Sequence, residues 1–206
     1  MRRIGYYNYT VIATYLGLAS SVLGIYFAAE KLPQEALYCL MLAGAFDMID
    51  GKIASTRKRT PAEKSFGIQI DSLCDLVSFG VLPAMMTGCF AIGTAWKLAA
   101  SLTLILGAVI RLAYFNVTEI ERQQKETGSR MYYEGLPVTS TALLFPFIYL
   151  FRGILGDSFG IACAVMAFCT AFSFILPFRL KKPKGPVLIF MGAAGLVILL
   201  LLILVA

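Results

Sequence analysis

Four of the five aspartates in the chain lie in one short stretch, at Asp47, Asp50, Asp71 and Asp75. Asp47 and Asp50 are three residues apart and Asp71 and Asp75 are four apart, so each pair shares one face of a helix. The basic connection between the two helices predicts a hairpin over 47–75 that brings both acidic faces together. Ionised carboxylates within an apolar helix bundle cost several kcal/mol each, so a positive charge must compensate them.

Divalent cations are the compensating charge that this cluster favours, because Mg²⁺, Mn²⁺ and Ca²⁺ prefer oxygen ligands over His or Cys. Such an ion beside basic residues suits phosphate chemistry, since it binds phosphoryl oxygens and offsets charge on a leaving group. A carboxylate not fully engaged with metal would take a proton from an attacking hydroxyl. Gly51 and Gly67 remove side chains near the acidic pairs, either for close approach of a substrate or for helix packing. The alternative is an ion-pair network in which Lys52 or Arg111 neutralises the acids.

Composition indicates that this cluster belongs to a membrane protein. Of 206 residues, 59% are hydrophobic and 15% are charged, whereas soluble domains carry about a quarter charged residues. The chain has no histidine, which excludes Ser-His-Asp and Cys-His catalysis, zinc sites with His ligands and haem bound by a histidine. The five cysteines stand singly in apolar runs, so we expect buried, reduced thiols. Membrane topology explains the net charge of +6, and no nucleic-acid partner is expected.

Seven apolar segments predict membrane-spanning helices, each of which needs about 20 residues. They cover residues 8–29, 35–56, 67–92, 95–116, 136–153, 158–178 and 186–206. The sequence therefore predicts an all-α polytopic transmembrane bundle that forms a single domain over 1–206. Basic residues flank alternate ends of these segments, so the positive-inside rule places the aspartates at the cytoplasmic end. Asp157 falls in a predicted outer loop, where we expect it to cap a helix.

The acidic stretch resembles the signature of the CDP-alcohol phosphatidyltransferases, D-x-x-D-G-x-x-A-R-x8-G-x3-D-x3-D. Its fixed positions are occupied by Asp47, Asp50, Gly51, Ala54, Gly67, Asp71 and Asp75. The resemblance implies a six-helix core, here with one extra C-terminal span, and a homodimer in a prokaryotic plasma membrane with its active site facing the cytoplasm. It also implies two divalent cations, Mg²⁺ or Mn²⁺, held by the four aspartates. The nucleotide of a CDP-linked lipid would lie against the first six of these positions, and Asp75 would be the general base.

Two features depart from this signature. Ser55 stands where the family has Arg, and twelve residues separate Ala54 from Gly67 where the pattern has nine. Serine cannot reproduce the bidentate grip of arginine on a phosphate. The enlarged connection carries three basic residues at 57–59, and we predict that Arg57 supplies the missing guanidinium to the nucleotide.

Three further segments resemble one branch of the family, the integral-membrane phosphatidylserine synthases of bacteria and archaea. They read D-S-L-C-D-L-V-S-F-G-V-L-P-A at 71–84, R-L-A-Y-F-N at 111–116 and Y-Y-E-G-L-P-V-T-S-T-A at 132–142. This resemblance implies transfer of the phosphatidyl group from CDP-diacylglycerol to L-serine, giving phosphatidylserine and CMP. The predicted contacts of the acceptor or of the lipid phosphate are Ser78, Arg111, Asn116 and Arg130. Helix packing and a turn before a span are the alternative explanation of the S-F-G and G-L-P elements.

Other functions stay open at the level of sequence. Within the family, the acceptor could be glycerol 3-phosphate or inositol phosphate, but a phosphate-bearing acceptor needs a basic pocket for which Arg111 is the one strong candidate. Outside the family, carboxylates within a bundle also mark cation-coupled transporters. The position of the aspartates at one end of the bundle, away from its midplane, favours the enzyme.

Overall fold

The computed structural model describes residues 5–90, 93–125, 132–181 and 185–204, and this part of the chain forms a helix bundle with one two-stranded ladder. The helices are α1 (Ile12–Ala29), α2 (Pro33–Ser55), α3 (Pro61–Asp75), α4 (Leu82–Phe90), α5 (Thr94–Lys125), α6 (Thr141–Tyr149), α7 (Arg152–Leu155), α8 (Phe159–Ile175) and α9 (Pro186–Leu204). A π-helical segment, Leu76–Val81, joins α3 to α4. The antiparallel strands are β1 (Tyr132–Glu134) and β2 (Arg179–Lys181).

Five helical segments of the described ranges are long and apolar enough to cross a membrane. They are Tyr9–Ala29, Pro61–Phe90, Thr94–Arg122, Arg152–Ile175 and Pro186–Leu204. The predicted all-α polytopic membrane bundle is therefore confirmed. The other two of the seven predicted spans are helical but do not qualify by the same measure. The second, 35–56, carries the acidic motif, and the fifth, 136–153, is a continuous helix only over Val138–Tyr149. Residues 91–92 and 205–206 of the predicted spans lie outside the described residues.

The start of α3 is fixed by local hydrogen bonds. The Thr60 side chain accepts from the Glu63 backbone N–H at 3.2 Å, and the Glu63 carboxylate accepts from the Thr60 backbone N–H at 2.8 Å. This capping box, followed by Pro61 in the first turn, satisfies amide groups that a helix start leaves without partners. Arg57 adds an ion pair to Glu63 at 3.4 Å. The hairpin connection is therefore structured at its α3 side.

The π-helical segment follows Asp75 and carries the Ser78-Phe79-Gly80 element. Pro83 lies just beyond it and has no N–H with which to continue the helical hydrogen bonds. The Thr141 hydroxyl of α6 donates a hydrogen bond to the Phe79 carbonyl oxygen at 3.1 Å. Ser78 is buried and bonds to Ser21 of α1 at 2.7 Å between hydroxyl oxygens. The element therefore ties three helices together, in agreement with its packing interpretation.

The hydrophobic core lies between α1, α2, α4, α5, α6 and α8. Its largest fully buried side chains include Leu37, Leu40, Phe79, Leu104 and Phe145. Helices α5 and α8 approach closely at Gly107, where an added Cβ would lie 2.9 Å from the Ala171 carbonyl oxygen. Small residues allow this approach of helix backbones, which is a common way to pack helices in membranes.

The Gly-Leu-Pro element forms a turn between β1 and α6. Gly135 has a φ of +72°, and its N–H donates to the Phe178 carbonyl at 2.8 Å. Leu136 donates to the Ser173 carbonyl at 2.9 Å. A Cβ on Gly135 would lie 2.5 Å from the Phe174 carbonyl oxygen. The turn is therefore seated on the end of α8, and only glycine fits there.

The turn before α8 differs from the sequence expectation. Asp157 is exposed in a 3-10 turn over Gly156–Ser158, and the N-cap residue of α8 is Ser158. No side-chain cap hydrogen bond forms at that helix start. The prediction that Asp157 caps the helix is therefore wrong.

We expect Gly135→Ala to destabilise the bundle, because it adds both left-handed strain of about 1–2 kcal/mol and a clash with the Phe174 carbonyl. The measurement is the apparent melting temperature of the purified protein in detergent. Gly153→Ala is the matched control, since a Cβ at Gly153 meets no atom within 4 Å. Equal melting temperatures for the two variants would contradict this account of the turn.

Candidate functional site

The hairpin brings the acidic residues of α2 and α3 together. Oxygen atoms from Asp47, Asp71 and Asp75, one from each carboxylate, all lie within 4.8 Å of one another. The three side chains are half-buried at one end of the bundle. Two separate helices thus bring together carboxylate oxygens that could hold a metal ion, and the predicted hairpin does place the two acidic faces side by side.

Asp50 completes the acidic group from the next turn of α2. Its Oδ2 accepts a hydrogen bond from the Thr14 hydroxyl of α1 at 3.1 Å, and its carboxyl group interacts directly with that of Asp71. Helix α1 therefore orients one member of the cluster, a role that the sequence analysis did not assign to it.

The charge balance of the cluster leaves room for a cation. Arg59 and Arg111 act electrostatically on Asp71 and Asp75 respectively, while Lys52 is exposed and has no ion pair to these aspartates within the described residues. Two guanidinium groups do not balance four carboxylates. An oxygen-only set of this density fits a hard divalent cation such as Mg²⁺ or Mn²⁺. The ion-pair network predicted as the alternative therefore accounts for only part of the charge.

A pocket of about 790 Å³ opens beside the cluster. Four elements contribute to it: the start of α1, the end of α2, the first turns of α3 and the end of α5. Its lining includes five of the motif positions, Asp50, Gly51, Ala54, Gly67 and Asp71. A Cβ on Gly51 would meet no atom within 4 Å, so this glycine leaves open space in the pocket. The pocket is large enough for a nucleotide-sized ligand.

Basic side chains line the same pocket. Arg59 reaches it from the hairpin connection and Lys64 from the first turn of α3. Arg122 reaches it from α5, where it is paired with Glu119 at 2.6 Å. A Cβ on Gly67 would lie 2.9 Å from a terminal guanidinium nitrogen of Arg59, so the glycine makes room for this arginine. A pocket with cations facing carboxylates suits a ligand that carries phosphates and divalent ions.

Arg57 lies elsewhere than the sequence analysis expected. Its guanidinium is bound to the capping-box residue Glu63, and it is not among the residues that line the pocket. Ser55 is exposed at the end of α2 and donates to the Lys52 carbonyl at 2.6 Å. Arg59 is thus the arginine that the enlarged connection delivers to the pocket.

Two of the predicted acceptor contacts are engaged between helices. Ser78 is bonded to Ser21 of α1. Asn116 of α5 accepts from the Ser72 hydroxyl at 2.6 Å and donates to the Gln69 side chain at 3.2 Å. Asn116 therefore joins α5 to α3 through Gln69 and Ser72, which lie close to the motif residue Asp71 in the sequence.

Arg111 is the predicted acceptor contact whose charge acts on Asp75 of the acidic cluster. It is 8% exposed, it donates from Nε to the Leu136 carbonyl at 2.9 Å, and its guanidinium lies 5.6 Å from the Phe115 ring centre. Arg111 thus connects the turn at Gly135 to the acidic cluster. Arg130 lies outside the described residues.

Several residues that line the pocket were not predicted from the sequence. Thr10 and Thr14 stand four residues apart at the start of an otherwise apolar helix, which is a readable sign of a polar face. Lys64 and Arg122 gave no such sign, since basic residues near the end of a span also serve as interfacial anchors. Only the fold shows that these two side chains meet at one pocket.

Comparison with known proteins indicates the family of the chain. The CDP-alcohol phosphatidyltransferase family matches residues 8–175. A CDP-diacylglycerol–serine O-phosphatidyltransferase of Saccharomyces cerevisiae is 36% identical over 172 residues, which cover 78% of this chain and 60% of that protein. An archaetidylserine synthase of Methanothermobacter thermautotrophicus is 29% identical, with 66% and 54% covered. A CDP-diacylglycerol–serine O-phosphatidyltransferase of Mycobacterium leprae is 31% identical, with 63% and 42% covered.

The fold and the site define a multi-pass helical membrane protein with a carboxylate cluster beside a basic pocket. The chain belongs to the CDP-alcohol phosphatidyltransferase family. It spans between about two fifths and three fifths of the length of these relatives.

We expect Mn²⁺ to raise the apparent melting temperature of the purified chain, because an ion that binds only the folded state stabilises it by about 2.7 kcal/mol at a hundredfold excess over its Kd. Asp71→Asn should lose most of this rise. In a chelator, the same variant should melt no lower than the wild type, because one repelling charge has been removed.

Asp157→Asn is the control for this measurement, since it removes an exposed carboxylate far from the cluster along the chain. It should keep the wild-type response to Mn²⁺. A full response in Asp71→Asn would contradict the metal assignment.

Proposed function

We propose that this chain transfers the phosphatidyl group of CDP-diacylglycerol to L-serine, giving phosphatidylserine and CMP. The observation that carries the proposal is the set of Asp47, Asp71 and Asp75 oxygens within 4.8 Å of one another, beside a pocket lined by the other motif residues. Family membership and the names of the relatives in yeast and mycobacteria support it. The chain would act at the cytoplasmic face of a prokaryotic plasma membrane, as the distribution of basic residues indicates.

The donor would enter with its diphosphate between the aspartates and the basic residues of the pocket. Arg59 and Lys64 supply positive charge on the side of the hairpin connection, and guanidinium groups bind phosphate oxygens through paired hydrogen bonds. Gly51 has no side chain and Ala54 has a small one, so the nucleotide would lie close to the backbone of α2. The acyl chains would extend from the pocket into the membrane.

The four aspartates would hold two divalent cations, Mg²⁺ or Mn²⁺. Such ions, when bound, neutralise the diphosphate and stabilise the charge on departing CMP. The fit rests on an all-oxygen donor set in a cluster whose negative charge the neighbouring arginines balance only in part. Asp50 would keep its orientation through the hydrogen bond from Thr14.

Asp75 would act as the general base. It would take the proton of the serine hydroxyl, whose oxygen forms a bond to the lipid-side phosphorus while the bond from that phosphorus to the CMP oxygen breaks. Arg111 lies beside Asp75 and carries a charge that suits the carboxylate of serine. Asn116 would act through α3, whose position relative to α5 it fixes.

The membrane assembly would be a homodimer, as the resemblance to the family implies. Membrane lipid would surround it, and CDP-diacylglycerol would reach the pocket from the same leaflet. No step of the proposed reaction requires a residue of the second subunit.

Purified protein with CDP-diacylglycerol and Mn²⁺ should release CMP when L-serine is added. Glycerol 3-phosphate and inositol phosphate should give no release above the blank. Asp75→Asn should lower kcat by about 10²-fold to 10⁴-fold, the usual contribution of a positioned general base. CMP assays with each acceptor in turn measure both effects.

Asp157→Asn should leave this turnover unchanged. Release with glycerol 3-phosphate but not with serine would overturn the acceptor assignment. Cation flux into liposomes without CMP release from any acceptor would favour a transporter instead.

Arg59→Gln should raise the KM for CDP-diacylglycerol by about tenfold or more, since a hydrogen bond to a charged group contributes about 1.5–3 kcal/mol. Arg57→Gln is the matched control on the same connection and should change KM less than threefold, because Arg57 pairs with Glu63. Steady-state kinetics over a range of donor concentrations give both values. A larger KM effect at Arg57 than at Arg59 would show that the nucleotide uses the other arginine.

A further inference from the structure

A second concavity lies at the end of the bundle opposite the aspartates. It has a volume of about 730 Å³ and lies between the end of α1, the end of α4 and the start of α5. Small and aliphatic side chains form its walls, including Ala28, Ala84, Met85, Gly88, Leu98 and Ile105. With a rise of about 1.5 Å per helical residue, the 14 positions from Asp75 to Cys89 place the far end of this groove roughly 20 Å from the acidic cluster. It is therefore separate from the donor pocket.

Hydrogen bonds between helices fix the shape of this groove. The Cys89 thiol donates to the Ala28 carbonyl at 3.1 Å and ties α4 to α1. The Ser101 hydroxyl donates to the Ala84 carbonyl at 2.7 Å and ties α5 to α4. A Cβ on Gly88 would meet only the Ser101 oxygen, at 3.9 Å, so the space above this glycine is open. The concavity is thus built into the fold.

Two lysines lie at one end of the groove. Lys31 follows α1 and Lys97 belongs to the first turn of α5, and both line the concavity. Their charges act on the same thiol, that of Cys89, so they lie at the same end. The groove lining includes no acidic residue, and neither lysine has a carboxylate oxygen within 4.0 Å among the residues that the structure describes. The ammonium groups therefore face the groove without a counter-charge from those residues.

The backbone at Lys31 is unusual for a lysine. Its φ is +60°, and it is the only residue other than glycine with a positive φ in the described ranges. The Lys31 N–H donates to the Ala28 carbonyl at 3.1 Å and the Leu32 N–H donates to the Phe27 carbonyl at 2.9 Å, which is the Schellman pattern of a helix end. Glycine is the favoured residue at this position. The chain thus carries an ammonium group where the backbone alone favours glycine.

We propose that this groove binds a membrane phospholipid with an anionic headgroup. An acyl chain would lie along the apolar walls, which belong to membrane-spanning helices. The phosphate would lie between Lys31 and Lys97, whose charges complement it. The apolar walls of the groove match the acyl chain of such a lipid, and the two ammonium groups at one end of the groove match its phosphate.

Cysteine alkylation in the full-length chain tests this proposal. Cys89 lines the groove and Cys169 does not, and both are exposed, whereas the other three cysteines are buried. The purified protein in micelles would receive either phosphatidylglycerol or phosphatidylcholine, and peptide mass spectrometry would follow alkylation by N-ethylmaleimide. We expect phosphatidylglycerol to slow alkylation of Cys89 at least threefold at a mole fraction where phosphatidylcholine does not. Cys169 should react at one rate in both lipids.

The double substitution Lys31→Gln and Lys97→Gln should remove the difference between the two lipids. Arg152→Gln, which removes a charge outside the groove at the same end of the bundle, should keep it. Equal protection of Cys89 by the two lipids in the wild type, or a preference that survives the double substitution, would overturn the proposal. Neither outcome depends on catalytic turnover.

A second variant measures occupancy directly. Gly88→Leu fills the open space of the groove, and native mass spectrometry should then count fewer bound phosphatidylglycerol molecules per chain than in the wild type. Retention of the full count would show that the lipid binds elsewhere. Lys31→Gly provides a third comparison, because it should lower the lipid count while leaving the apparent melting temperature equal or higher.

Discussion

Repulsion among four carboxylates at one end of an apolar bundle is the constraint around which the rest of the structure is organised. Two like unit charges about 5 Å apart repel by about 3 kcal/mol at an effective dielectric constant of about 20, and three of these carboxylates lie within 4.8 Å of one another. The helices therefore hold together groups that would otherwise separate, and positive charge that enters the cluster stabilises the arrangement. Arg59 and Arg111 provide part of that charge from two sides. A divalent cation and a phosphate ligand together would balance the charge of the whole site. The ion would offset the carboxylates, and the phosphate would offset the basic side chains of the pocket.

The remaining helices keep the acidic hairpin rigid. The capping box at Thr60 fixes where α3 begins, and the π-helical segment after Asp75 is fastened to α1 and α6 through Ser78 and Phe79. Asn116 bonds to α3 on the other side. Packing in membranes depends on close contact and on hydrogen bonds between helices, since lipid offers no hydrophobic drive for association. Ser78 and Asn116, which the sequence predicts as substrate contacts, thus form hydrogen bonds between helices.

The acidic cluster could be predicted from the sequence because helical periodicity alone decides which aspartates share a face. The role of Arg57 could not, since loop geometry decides it: Glu63 forms a capping box and binds Arg57, which leaves Arg59 to enter the pocket. The T-P-A-E pattern that signals this capping box is readable in the sequence. Five of the seven predicted spans are long and apolar enough to cross a membrane; the other two are helical, but α2 carries the motif acids and the helix of the fifth predicted span ends at Tyr149. Lys64 and Arg122 reach the pocket through tertiary packing, which no local pattern encodes.

The distribution of charge around the aspartates also bears on the acceptor. Arg59 and Lys64 line the pocket that also contains the motif glycine and alanine positions, so their charge would face the diphosphate of the proposed donor. Arg111 is the basic side chain whose charge acts on Asp75, and its Nε already donates a hydrogen bond to the Leu136 carbonyl. A phosphate-bearing acceptor would bring about two negative charges to this region and would need more than one guanidinium to offset them. An amino acid brings one carboxylate together with its own ammonium group, and the charges present on this side suit such an acceptor better.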